Sequence, residues 1–164
     1  MISSKDNPKF KLLVSLGDRK DRDQTELMLV EGNQEIFLVL DHGHRIEGSF
    51  VCPGRFRLKS DHALADRLGC LTPPPLEFDE KLFAKLCYME SSSALLLIRQ
   101  PRKSLSELKI SATDLVLVVV GIEKPGNLGA LIRTADAVGA GAVIVADQHI
   151  DPAPGVHGLP HHGR

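Results

Sequence analysis

Aromatic residues are scarce in this sequence of 164 residues, which has no tryptophan and a single tyrosine. An aromatic platform, on which many proteins stack single-stranded RNA, is therefore hard to build from this chain. The three cysteines, Cys52, Cys70 and Cys87, form no CxxC pair. Their odd number and wide spacing favour reduced, mostly buried thiols in a cytoplasm over a disulfide framework or a zinc site.

Long apolar runs are also missing. The longest, from Leu115 to Ile122, has eight residues, whereas a membrane span needs about 18. The N-terminal residues MISSKDNPKFK contain no apolar signal core, so export is not expected. The formal net charge is −1, and a surface for nucleic acid must therefore come from local basic clusters. These features predict a cytoplasmic protein without a membrane partner.

The first 24 residues predict a basic helical segment, which begins near Asn7-Pro8 and has apolar residues at helical spacing from Phe10 to Leu16. From 25 to 103, short apolar runs alternate with helical patterns, which predicts a mixed α/β sandwich. The expected strands are 27–30, 49–52, 76–78 and 94–98. The expected helices are 33–40 with Asn33 as N-cap, 63–68 closed by Gly69, and 79–87.

A linker is expected at 104–112, and a parallel βαβ unit at 113–147. Its strand 115–120 is continuous and β-branched, which is typical of a strand buried on both faces. A glycine-containing loop precedes a helix from about Asn127 to Val138, and a second strand follows at 142–146. Residues 148–164 lose this order and predict a disordered or aberrant tail, which we favour over a metal site at His157, His161 and His162.

The stretch 123–136 is the most informative for chemistry. Asn127 is predicted to cap the helix, and Gly129 lets a ligand or backbone approach its first turn. Arg133 lies off the apolar face and is expected to point to the carboxyl end of the preceding strand, where open α/β sheets bind ligands. The alternative is purely structural: a cap, a packing contact, and an ion pair between Arg133 and Asp136. Spacing alone leaves both readings open.

Nucleotide-binding motifs match poorly. No Gly-Lys-Ser/Thr follows the glycine loop, which excludes a P-loop. Gly126 and Gly129 follow a strand and Asp147 ends the next one, but the G-x-G pair of a dinucleotide fingerprint is missing. A dinucleotide-binding fragment is the weakest alternative.

The stretch PGNLGALIRTADAVGAGAVIVAD resembles the first motif of the SpoU family of RNA 2′-O-ribose methyltransferases, in the SPOUT superfamily. SSKDNPKFKLLVSLGDRKDRDQTELMLVEG is similar to the opening of that family, and FAKLCYMESSSALLLIRQPRKSL to the end of its substrate-binding domain. The three matches occur in the family's order and together cover residues 2 to about 147.

This resemblance implies an RNA-binding domain that is similar to certain ribosomal proteins, followed by an incomplete SPOUT-type unit. In the complete family that unit is knotted, binds S-adenosyl-L-methionine and forms a homodimer. The motif arginine and asparagine map onto Arg133 and Asn127, and Glu123, Gly126 and Gly129 belong to the motif loop. Arginine is too basic to serve easily as a general base. Arg133 is therefore expected to grip RNA phosphate or stabilise the developing alkoxide, with Asn127 orienting it.

The resemblance also implies basic residues that contact the phosphates of an rRNA or tRNA. The alternative is that they form solvated helix and loop faces. A middle group, Arg55, Arg57 and Lys59, is a weaker candidate. The preferred groups are Lys9, Lys11, Arg19, Lys20 and Arg22 near the N-terminus and Arg99, Arg102 and Lys103 after the last sandwich strand.

Two later motifs of the family, a glycine-rich G-S-E-x-x-G-like loop and a proline-led loop before a serine/asparagine-rich helix, do not occur in this sequence. They form the cofactor pocket in the family, so the cofactor-binding residues stay unknown. We expect a C-terminally truncated methylase domain that does not measurably bind S-adenosyl-L-methionine. The candidate functions are thus an RNA 2′-O-methyltransferase in a complete form and a non-catalytic RNA-binding module.

Overall fold

The computed structural model describes residues 1–100, 105–122 and 125–146 of the chain. Within these residues two units form, the first from Met1 to Gln100 and the second within Pro101–Pro154. Glu123, Arg102, Lys103, Asp147 and the predicted tail lie outside the described residues.

Two short helices open the first unit, α1 (Pro8–Ser15) and α2 (Arg19–Thr25). The Asn7 side chain accepts the N–H of Lys9 at 2.9 Å, as expected for a helix start before proline. The Asp18 side chain accepts the N–H of Lys20 at 2.7 Å and begins a second helix. The basic helical segment is therefore two helices, because Asp18 caps a new one where α1 ends.

A four-stranded mixed sheet forms the centre of this unit. Its strands are β1 (Leu27–Glu31), β2 (Ile46–Val51), β3 (Leu76–Glu77) and β4 (Ala94–Arg99), in the order β1-β4-β2-β3. β4 pairs antiparallel with both β1 and β2, and β3 pairs parallel with β2. The helices α3 (Asn33–Asp41), α4 (Lys59–Gly69) and α5 (Glu80–Phe83) connect the strands. The predicted mixed α/β fold is confirmed.

The central strand β4 supplies side chains to a core on each face of the sheet, because successive residues of a strand point to opposite sides. Leu95 and Leu97 pack in one buried cluster with Phe10 of α1 and Phe83 of α5. Leu96 and Ile98 pack in the other, whose remaining buried members come mainly from α3 and α4. The sheet is thus covered by helices on both faces.

Three local predictions in this unit are wrong. Gly32, at a φ of 100°, is the N-cap of α3, and Asn33 is its first residue. Asn33 instead donates its side-chain amide to Asp61 across the fold. Gly69 is the last residue of α4, and Cys70 follows in a right-handed conformation. The helix predicted at 79–87 ends at Phe83.

The second unit contains β5 (Val116–Val119), α6 (Pro125–Ala137) and β6 (Ala142–Val145). β5 and β6 pair in parallel, which confirms the predicted βαβ arrangement. The prediction that the first strand is buried on both faces is wrong for the described residues. Val119 is buried, but Val118 is 55% exposed and Val120 just beyond the strand is 70% exposed. The two strands and single helix described here supply too little apolar surface to cover both faces.

Limited proteolysis of the full chain is expected to cleave the second unit before the first. Its buried apolar residues among those described are Val119, Leu128 and Ala135, whereas the first unit has two buried clusters. Local opening is easiest where few apolar contacts must be broken. Mass spectrometry of early fragments should find cuts within 105–146 while residues 25–100 stay intact. Equal protection of both stretches would contradict this expectation.

Candidate active site and nucleic-acid surfaces

The first turn of α6 holds the predicted catalytic asparagine. The helix begins at Pro125. Proline suits the first helical position because its φ is already helical and because the N–H that it lacks would have no partner in the helix there. Asn127 is consequently the third residue of the helix, and its prediction as N-cap is wrong. Its side chain is exposed, as are Gly126 and the outer face of this turn.

Arg133 projects from the exposed side of α6, while Leu128 and Ala135 are buried on the other. Its Nη1 lies 3.8 Å from the position that a Cβ atom on Gly129 would occupy. The guanidinium therefore folds back along the helix, towards the turn that follows β5, as long helical side chains usually do. A side chain at Gly129 would contact the guanidinium in this position.

The purely structural alternative for Arg133 is not formed. Within 105–122 and 125–146, Arg133 makes no ion pair with Asp136. Ile132, the residue before Arg133 in the helix, is 43% exposed. A Cβ atom on Gly121 or Gly126 would meet nothing within 4 Å. The described backbone is thus uncrowded at Gly121, just after β5, and at Gly126, in the first turn of α6.

The exposed side of α6 offers a guanidinium at Arg133 and an amide at Asn127, a pair suited to holding a phosphate or an alkoxide oxygen. Among the described residues, Gly121 and Gly126 face open space and form no cradle for S-adenosyl-L-methionine at these two positions.

The basic residues near the N-terminus differ in environment. Lys9 and Lys20 are exposed. Lys11 forms an ion pair with Asp6 at 3.1 Å, and Arg19 one with Asp23 at 3.6 Å. Exposed pairs of this kind are weak and exchange readily for other partners. Four of the five predicted residues can therefore reach a phosphate.

Arg22 is the exception, and its prediction as an RNA contact is wrong. Its side chain is only 1% exposed. Nη1 donates to the carbonyl oxygens of Leu16 at 2.7 Å and Gly17 at 3.0 Å. Burial lowers the pKa of the guanidinium, and the nearby charges of Asp23 and Asp18 oppose this. Arg22 therefore joins α2 to the end of α1.

Replacing Arg22 by alanine should change the stability of the fold, whereas replacing Lys20 by alanine should change the affinity for RNA. Arg22→Ala is expected to cost about 1–3 kcal/mol in the free energy of unfolding, because it removes a charged donor from the carbonyl oxygens of Leu16 and Gly17, the first in a buried and the second in a part-buried hydrogen bond. Lys20→Ala should leave stability within about 0.5 kcal/mol and lower the slope of log affinity for RNA against log salt by about 1. Urea unfolding and a salt series of filter binding measure the two. A changed salt slope in folded Arg22→Ala would restore the sequence prediction.

Arg99 is held by two carboxylates. Nη1 lies 2.8 Å from Glu26, and Nε lies 3.4 Å from Glu47, which also binds Arg45. These carboxylates compete with a phosphate for the guanidinium, but exposed pairs are weak, so Arg99 stays a predicted phosphate ligand. The other members of its group, Arg102 and Lys103, lie outside the described residues.

A cleft that the sequence did not predict lies at one end of the sheet of the first unit. Its volume is about 480 Å³. The middle basic group, which was judged the weaker candidate, supplies two of its side chains. The lining includes Arg55, Arg57, Leu58, Tyr88, Met89 and Glu90. The only signals in the sequence were two arginines close together and the single tyrosine.

Two carboxylates, that of the partly exposed Glu31 and that of the buried Asp61, hold the walls of this cleft. Glu31 accepts the N–H groups of Tyr88 and Met89, each at 2.9 Å, and the hydroxyl of Ser92. Gly32 permits this turn, because a Cβ atom there would lie 2.2 Å from the Glu35 carboxylate at a φ that side chains rarely adopt.

Asp61 holds the opposite wall. It accepts the N–H groups of Arg57 and Leu58, both at 2.8 Å, the Asn33 amide at 2.7 Å and the Ser93 hydroxyl at 3.0 Å. Burial alone would raise the pKa of this carboxyl, but the four hydrogen bonds outweigh it and lower the pKa to about 2. Asp61 is thus a fixed anion.

The three cysteines differ in their exposure to solvent. Cys52 is buried, Cys87 is partly buried and Cys70 is exposed, and all three are free thiols. Burial, together with the charge of Glu31, raises the pKa of Cys87 to about 12, which keeps it protonated. Over the described ranges, no three His, Cys, Asp or Glu residues are grouped to hold a metal ion. Nor does any described helix have the length and apolarity needed to cross a bilayer.

Comparison with protein families gives two matches, in the order of the two units. Residues 7–96 match the MRM3-like substrate binding domain, and residues 114–156 match the SpoU rRNA Methylase family. The first match covers more than half of the chain.

Among curated proteins, the chain is 28% identical over 158 residues to the 23S rRNA (guanosine(2553)-2'-O)-methyltransferase RlmP of Bacillus subtilis (strain 168). Among solved structures, it is 35% identical, with a TM-score of 0.73, to an RNA 2'-O ribose methyltransferase. The SpoU methyltransferase AviRb from Streptomyces viridochromogenes, solved with AdoMet, is 24% identical with a TM-score of 0.79, and this likeness concerns the fold alone.

These proteins are longer than the chain. The alignments cover 92–95% of this chain but 56% of the Bacillus subtilis protein, 58% of the first solved structure and 57% of AviRb.

Proposed function

We propose that the chain, which belongs to the family of the MRM3-like substrate binding domain and whose residues 114–156 match the SpoU rRNA Methylase family, serves S-adenosyl-L-methionine-dependent 2′-O-methylation of a ribose in RNA. The observation that carries the proposal is the motif helix α6, in which Asn127 and Arg133 are both exposed. The name of the Bacillus subtilis relative supports rRNA over tRNA as the substrate.

In the proposed reaction the ribose 2′-oxygen attacks a methyl group that the cofactor supplies when bound. The oxygen must lose its proton and gain negative charge before or during attack. Arg133 would stabilise that charge or hold the adjacent phosphate, because a guanidinium is always protonated and donates in a fixed fork. Asn127, six residues earlier in the same helix, would orient the sugar or the arginine by hydrogen bonds.

Methyl transfer is tested directly with a radiolabelled methyl donor and an rRNA transcript. A 2′-O-methylated ribose resists alkaline cleavage of the following phosphodiester, since the 2′-hydroxyl is the nucleophile in that cleavage. The assay should include this chain and a chimera in which residues 1–146 precede the remaining C-terminal part of the Bacillus subtilis relative. Label that stays in RNA but leaves alkaline cleavage complete would overturn ribose as the acceptor.

A second candidate function for the 164-residue polypeptide is RNA binding without catalysis. The observation that favours it is the distribution of burial, with two buried clusters in the first unit and an open edge in the second. Calorimetric titration with S-adenosyl-L-methionine and filter binding of structured RNA separate the two functions. Salt-dependent RNA binding without cofactor binding supports the module, and stoichiometric micromolar cofactor binding contradicts it.

Homodimerisation, the cytoplasmic location and the roles of Glu123, Arg102 and Lys103 belong to the same proposal. The second unit exposes apolar side chains that a second copy of the chain could cover, namely those of Leu115, Val118 and Val120. Analytical ultracentrifugation of the chimera should show a dimer.

A further inference from the structure

The cleft in the first unit has the chemical character of a nucleotide site. Its volume of about 480 Å³ falls within the range of about 300–1,000 Å³ that is usual for small-molecule sites. Tyr88 is 59% exposed, Leu58 63% and Met89 38%, although all three are large and apolar in part. Charged groups that can donate and accept hydrogen bonds stand beside them, namely Arg55, Arg57, Glu80 and Glu90.

The exposed tyrosine is held in place and does not hang on a free loop. Its backbone N–H and that of Met89 are bound by the Glu31 carboxylate, which anchors this segment to the end of β1. A ring whose backbone is fixed loses little conformational entropy when a ligand stacks on it.

Arg55 forms part of the cleft and is incompletely satisfied. Its Cζ lies 5.8 Å above the ring of Phe83, and Nη2 donates to the carbonyl oxygen of Glu90. Nη1 is buried, and none of the residues that the structure describes forms a hydrogen bond with it. An unmet charged donor is costly, so an acceptor that enters the cleft would be favoured if the guanidinium turns towards it.

A phosphate alone fits this lining poorly, because the carboxylates of Glu80 and Glu90 would repel it. A nucleobase fits better, since its edge carries both donors for carboxylates and acceptors for guanidinium groups, and its face can stack on tyrosine. We propose that this cleft binds one unpaired nucleotide of the RNA substrate, and this inference rests on the proposed function. The base would stack on Tyr88, and the edge of the base would face Arg55. The chain would thereby select RNA in which a base is free of pairing.

The test uses the full chain and two hairpin RNAs that each contain 2-aminopurine, one with this base as a single bulge and one with it paired. Wild type should bind the bulged hairpin about tenfold more tightly and change the fluorescence of its 2-aminopurine. Tyr88→Phe should keep this preference, whereas Tyr88→Ala should bind both hairpins equally. Leu38→Ala is the matched control, since Leu38 is 57% exposed and does not line the cleft.

The outcomes separate this inference from the proposed function. Equal binding of both hairpins by wild type, or an unchanged preference in Tyr88→Ala, would overturn the cleft assignment while salt-dependent RNA binding stands. Failure to bind either hairpin at low salt would overturn the cleft assignment together with the RNA substrate. Because Tyr88 is exposed, its replacement leaves the core intact, and circular dichroism verifies this.

Discussion

Replacing Arg133 by alanine is expected to lower the rate of ribose methylation by about 10²–10³-fold, the loss that follows removal of one donor to a developing oxyanion. The measurement is single-turnover methyl transfer by the chimera described above, with and without the substitution. Arg133→Lys should recover part of the rate, because it keeps the charge but loses the planar fork.

Asp136→Ala is the matched control, since Asp136 is exposed on the same helix and makes no ion pair with Arg133 in the described part of the chain. Its rate should stay within about twofold of the parent, within the uncertainty expected of a surface substitution. A rate for Arg133→Ala that equals that of this control would remove the arginine from the reaction and, with it, the proposed role of the motif helix.

The second large effect is expected at Asp61. Asp61→Ala should lower the free energy of unfolding of the first unit by about 3 kcal/mol or more, because it leaves four donors without their charged acceptor. Urea unfolding followed by circular dichroism measures the loss. Asp66→Ala, at an exposed position of the same helix, should change stability by less than about 0.5 kcal/mol.

Asp61 also predicts the direction of the pH dependence. Its pKa of about 2 in the folded protein lies below the usual 3.8, so the folded state binds this proton less readily than the unfolded state. The carboxylate therefore contributes about 2–3 kcal/mol above pH 4, and this contribution is lost as the pH falls towards 2. In Asp61→Asn the stability curve should be flatter over that interval. An equal slope in the variant and the parent would show that other carboxyls cause the acid loss.

The sequence predicts the framework of this fold well because strand signals are local. The runs at Leu27–Glu31 and Ala94–Arg99 are short, apolar and bounded by turns, and both are strands in the structure. Helix ends were predicted less well. At Asn33 and Gly69 the residue type suited a cap, but the Asn33 amide is used by Asp61, a partner 28 residues away that no local pattern reveals.

The predicted site shows the same limit. The motif predicts that Asn127 and Arg133 lie on one helix, and both lie on α6. In the sequence, Arg22 cannot be told apart from the basic residues around it, but in the structure it is buried. Its burial depends on the turn from α1 to α2, which brings its guanidinium to the carbonyls of Leu16 and Gly17. The cleft was missed because Tyr88 and Arg55 are 33 residues apart in the chain and meet only when Glu31 and Asp61 fix their loops.

The placement of β4 between two helix layers has a consequence for the first unit as a whole. Successive residues of this strand pack alternately against one helix layer and the other. Neither layer can therefore separate from the sheet without exposing buried leucines to water. The unit should therefore melt in a single transition, and a ligand that grips the loops at its end would raise the melting temperature of α1 and α4 alike.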